Sequence, residues 1–130
     1  MFNHIMIGTN DIEKSKAFYE KVLGVLGATK SMDNTTAGGT KRVFFMHEGN
    51  TLALSQPIDG EPASAANGMT IGFKCSSPEQ VKELHDVAIA AGGTSIEDPP
   101  GLRETTMGPI HLSYFRDLDG HKICGIHRPG

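Results

Sequence analysis

The stretch "HIMIGTNDIEKSKAFYEKVLGVLG", residues 4–27, carries two periodicities in succession. The apolar run "FNHIMIG" predicts a strand over 2–8 that stops at Gly8. From Asn10 the spacing changes: Phe18, Tyr19, Val22, Leu23 and Leu26 recur at helical intervals and give one apolar stripe. Asn10 is the expected N-cap, with Glu13 completing a capping box, and the helix should run out across residues 24–27.

Outward from this strand–helix pair, "ATKSMD" reads as a second strand, followed by a glycine-bearing loop at 34–39. "KRVFFMH" and "TLALSQ" read as strands joined through Glu48-Gly49-Asn50. The polar "PIDGEPASAANG" reads as a linker. The order then repeats. "MTIGFKC" is a strand, and "SPEQVKELHDVAIAAGG" a helix with Pro78 in its first turn and Ser76 or Ser77 as cap. "TSIED" is a short strand, "PPGLRETTMG" a loop, and "PIHLSYFRD" and "KICGIHR" a closing hairpin turned at residues 118–121.

A shift of 66 places Asn10-Asp11 on Ser76-Ser77, Phe18 on Leu84 and Gly27 on Gly93; in the hairpins a shift of 71 places Gly49 on Gly120 and Ala53 on Cys124. The sequence therefore predicts one α+β domain over 1–130 built from two βαβββ modules, about 1–57 and 68–130, with a linker at about 58–67.

Bulk properties narrow the function classes. A net charge of -3 with no basic cluster argues against nucleic acid. No apolar run approaches the roughly 20 residues of a membrane span. Two cysteines, Cys75 and Cys124, give no disulfide framework, and no signal peptide is evident, so a reducing cytoplasm is expected. The Asn34-Thr35-Thr36 sequon then carries no meaning.

The paired units, and above all "HIMIGTNDIEKSKAFYEKVLGVLG" and "DLDGHKI" at 117–123, resemble the vicinal-oxygen-chelate superfamily: glyoxalase I, extradiol dioxygenases, fosfomycin-resistance proteins and bleomycin-binding proteins. The resemblance implies a curved, half-barrel-like mixed sheet with helices outside and a ligand on its concave side. It also implies that open sheet edges pair two chains as a homodimer, the cavity in some relatives being shared between chains.

Metal-dependent relatives hold their ion from the first and last strand of each unit. Carried over, these positions are His4, Ala53, Thr70 and Cys124. Only His4 is an ordinary donor for a divalent Lewis acid; Ala53 has none, Thr70 is weak and neutral, and a lone soft sulfur does not repair the set. No cofactor is therefore expected, a divalent metal being the disfavoured alternative.

Strand alternation points His4, Met6 and Gly8 into the cavity and Ile5 and Ile7 toward the helix, with Thr70, Gly72 and Lys74 inward in the second unit. The candidate cavity-lining residues are His4, Met6, Arg42, Ser55, Thr70, Arg103 and Cys124. Arg103 in its loop could clamp a carboxylate, and so could Arg42 if it is the inward member of Lys41-Arg42. His4 serves as a ligand contact or a general base; no catalytic residue is singled out. Cys124 reads as a small buried group, Asp117 and Asp119 as turn residues, His121 as lying away from the centre, and His85 as a surface or core-edge residue.

The first functional expectation is a protein binding an unidentified small molecule, its chelating site degenerate. The alternatives are a glyoxalase-like metal-dependent lyase acting on a glutathione adduct, and an interaction module with no small-molecule ligand.

Overall fold

The computed structural model describes residues 1–129. In chain order the elements are β1 (Ile5–Gly8), α1 (Ile12–Val25), β2 (Lys30–Thr35), β3 (Lys41–His47), β4 (Asn50–Ser55), β5 (Ile71–Lys74), α2 (Pro78–Ala90), β6 (Thr94–Ser95), β7 (Gly101–Thr105), β8 (Gly108–Arg116) and β9 (Lys122–His127). The strands form two hydrogen-bonded sheets, one ordered β1-β4-β3-β2 and the other β5-β9-β8-β6, with β7 also on β8. Among the described residues the sheets close into no barrel.

α1 begins where the Asp11 side chain accepts from the Lys14 amide, so Asp11 rather than the expected Asn10 is the cap. Asn10 is drawn instead into tertiary bonds, accepting from Ala63 N at 2.7 Å and donating its amide N–H to Asp119 at 2.8 Å. Ile12, Ser15, Phe18, Tyr19, Val22 and Leu23 make the buried stripe. α2 repeats the plan: Ser77 caps it by accepting from Gln80 N, and Val81, Leu84, His85 and Ala88 are buried. Full burial of side chains such as Phe18, Leu54, Leu84 and Phe115 stabilises by about 1.5–3 kcal/mol each.

The internal repeat is visible in the ladders. Ile5 pairs with Leu52 in one module and Ile71 with Ile123 in the other, which reproduces the shifts of 66 and 71 (71 − 5 and 123 − 52). Thr9 N donates to Ser55 O and Cys75 N to Ile126 O, the same bond twice. One alignment changes. Gly27 and Gly92, at φ +84° and +108°, end the two helices in the same left-handed conformation, so Gly92 rather than Gly93 is the twin of Gly27. α2 is one residue shorter than α1, 13 against 14.

The segment expected as a loop at 99–108 contains a strand. β7 pairs antiparallel with the first half of β8, Arg103 opposite Ile110. β6 pairs with the far end of β8, Thr94 opposite Arg116. β6 and β7 thus flank β8 on one side, and residues 96–100 lie between them.

Candidate functional site

Each sheet has a helix face and an open face. Register places Met6, Gly8, Ala53, Ser55, Arg42, Phe44, Met32 and Asn34 on the open face of the first sheet, since Met6 pairs with Ala53, Phe44 with Ala53 and Met32, and Arg42 with Ser55 and Asn34. On the second, Cys124 pairs with Gly72 and Tyr114, and Arg103 shares its face with Ile110.

Arg42 is therefore the inward member of its Lys-Arg pair. Its Nε is buried and finds no partner among the described residues. Ser55 beside it is buried and donates to Gln56 O at 2.7 Å. Met6 and Met32, 39% and 52% exposed, leave apolar surface on the same face. Arg103 differs: its guanidinium donates to the carbonyls of Asp98 and Pro99 at 3.0 and 2.9 Å, bracing the turn before β7.

His4 lies just before β1, exposed, with Nδ1 2.7 Å from Asn3 Oδ1. Thr70, also exposed, precedes β5. Cys124 is buried, and desolvation pushes its thiol up to about 11 against a lowering hydrogen bond from Tyr114. A single soft sulfur does not complete a divalent Lewis-acid site, and Thr70 is a weak neutral donor. With Ala53 offering no donor, the set His4, Ala53, Thr70 and Cys124 does not fit a divalent ion. Among the described residues no three His, Cys, Asp or Glu side chains converge as a ligand group.

The modules meet along a seam. α1 and α2 pack on each other, and Gln80 Nε2 donates to Val25 O at 3.0 Å. One end of the seam is fastened by the β8–β9 turn. Asp117, read from sequence as a turn residue, is buried and accepts from Tyr19 OH and from the amides of Asp119 and His121. His121, expected away from the centre, is buried with Nε2 2.7 Å from Gly8 O. Phe18 meets Phe115 edge-on at 6.4 Å. A Cβ on Gly93 would come within 3.3 Å of the Phe18 ring and 2.9 Å of two carbonyls, so only glycine permits this approach. Burial first, then the Asp117 carboxylate, holds the Tyr19 phenol well above its usual value.

The other end of the seam is open. A cleft of about 710 Å³ lies between the start of β1, the β3–β4 turn, β5 and the start of α2, and His4 and Thr70 are in its wall. Met6, Arg42, Ser55, Arg103 and Cys124 are not. The sequence thus grouped residues that the fold distributes over two open faces and a cleft. It missed the Tyr19–Asp117–His121 cluster.

The sequence profile of the Glyoxalase/Bleomycin resistance protein/Dioxygenase superfamily matches residues 1–124. The chain belongs to this superfamily. A crystal structure of a glyoxalase/bleomycin resistance protein from Albidiferax ferrireducens is 44% identical, covers 98% of this chain and 99% of its own, and superposes with a TM-score of 0.91. The fosfomycin resistance protein FosX from Listeria monocytogenes (20% identity, 96% and 87% coverage, TM-score 0.67) shares the fold. So does the lactoylglutathione lyase from Agrobacterium tumefaciens (18% identity, 97% and 92% coverage, TM-score 0.64). Among the described residues of this superfamily member no helix is long and apolar enough to cross a membrane.

Proposed function

We propose that this superfamily member binds a small organic anion on the open face of its first sheet, without a metal. The observation that carries the reading is Arg42. A guanidinium with a buried, unpartnered Nε costs stability unless a ligand completes it, and a planar carboxylate or two oxygens of a tetrahedral phosphonate do so bidentately. Met6, Phe44 and Ala53 give the apolar floor, and Ser55 and Asn34 flank the arginine. A second chain laid over Met6 and Met32 would enclose the ligand, so the reading includes a homodimer, working in the cytoplasm with both thiols reduced. The lyase alternative draws no support from Ala53, which has no donor, or from Cys124, a lone soft sulfur.

Thermal-shift titration with benzoate and phenylphosphonate tests this, with elemental analysis of the same preparation. The expected result is a saturable rise in Tm that Arg42→Gln removes and Arg42→Lys only partly keeps, because lysine lacks the fork. A tightly held stoichiometric cation, or an anion response unchanged in Arg42→Gln, overturns the proposal.

A further inference from the structure

The two ends of the seam are related by the internal repeat, and they are built differently. Under the shifts of 66 and 71, Asp119 corresponds to Glu48, His121 to Asn50, Gly8 to Lys74 and Asn10 to Ser76. At the fastened end the Asn10 amide donates to Asp119 and the His121 ring bonds Gly8 O. None of the twin bonds forms. The Ser76 amide donates to Gln80 Oε1 at 2.6 Å, Glu48 lies 3.6 Å from its neighbour His47, and Asn50 Nδ2 donates to Glu48 O at 3.3 Å. The β3–β4 turn satisfies itself and leaves the facing module alone. The cleft is the space a symmetric contact would have filled.

Its chemistry is that of a ligand site. Leu23, Leu26, Phe45, Leu52, Ile71 and Phe73 give an apolar wall drawn from both modules. Its volume falls within the range of about 300–1,000 Å³ usual for small-molecule pockets. The rim carries His4, Gln80, the carboxylate of Glu48 at 3.6 Å from His47, and, at the end of the edge strand β5, Lys74, which is in no ion pair among the described residues. A partly apolar wall with one unpaired lysine at its edge suits an amphiphile whose negative end reaches that lysine.

We propose that this inter-module cleft is a second binding site, separate from the Arg42 face, that takes an aliphatic carboxylate with its tail among Leu23, Leu26 and Phe73 and its head toward Lys74. The proposal stands apart from the reading of Arg42, and the test separates them. Octanoate and octanol are titrated into the full chain and followed by amide chemical shifts. Octanoate should saturate with shifts centred on Leu26, Lys74 and Gln80. Lys74→Gln, an exposed substitution that spares the core, should weaken octanoate by about two- to fivefold and leave octanol unchanged, the size of one partly screened charge contact. Leu26→Trp, which fills the cleft, should abolish both, and Arg42→Gln should change neither. Shifts confined to Arg42 and Ser55, no saturation, or equal octanoate affinity in Lys74→Gln overturns it.

Discussion

The two turns that face the seam occupy equivalent places in a duplicated fold and have taken opposite roles. Asp117–His121 reaches across to the other module and places a buried carboxylate and an imidazole at its backbone and its tyrosine. His47–Asn50 closes on itself. The difference is chemical rather than topological. The twin of Asp117 is Met46, and the twin of Tyr19 is His85, which bonds Ser95 at 2.7 Å within its own module. A repeat thus conserves the frame while a few polar residues decide which end holds.

Paired substitutions put this contrast under strain. Asp117→Ala strips the acceptor from the Tyr19 hydroxyl and from two amides, and should cost about 3 kcal/mol in urea unfolding against under about 1 for Met46→Ala. Equal losses would dissolve the asymmetry.

Tyr19→Phe should cost about 1.5–3 kcal/mol, the range of a hydrogen bond to a charged group. It should also flatten part of the alkaline limb. A phenol raised above its unfolded value of 10.0 contributes stability fully below that pH and loses it as pH rises beyond. Cys124, raised from 9.0 to about 11, begins the same decline from pH 9 upward, so urea midpoints across this window should fall in both proteins, less steeply in Tyr19→Phe above pH 10. A Tyr19→Phe limb as steep as wild type above pH 10 would refute the coupling.

The smallest effect separates the remaining twins. His121→Ala should cost about 1 kcal/mol and Asn50→Ala only a few tenths, since one bond joins the modules and the other is an exposed local contact.

Much of this frame was legible in the chain. Alternation told which of Ile7 and Met6 faces the helix, and 3.6-residue spacing found both helices, because each pattern is local. β7 was not, since "PPGLRETTMG" reads as punctuation; its strand state comes from pairing with β8, a non-local gain that outweighs weak propensity. Asn10 and Asp11 are both good caps, and only the pull of Ala63 and Asp119 on Asn10 separates them. Alternation said only that one of Lys41 and Arg42 faces inward; the register with Ser55 chooses Arg42, and its want of a partner was not legible. Tyr19 and Asp117 lie 98 residues apart, and nothing near either announces the other.

Across the seam a buried carboxylate and an imidazole clasp one end, whereas near the other only the helix packing and the Gln80–Val25 bond join the halves. A molecule lodged between Lys74 and Asn50 would therefore press on the less polar, less cross-linked end of the duplication, and leave the Tyr19–Asp117 clasp untouched.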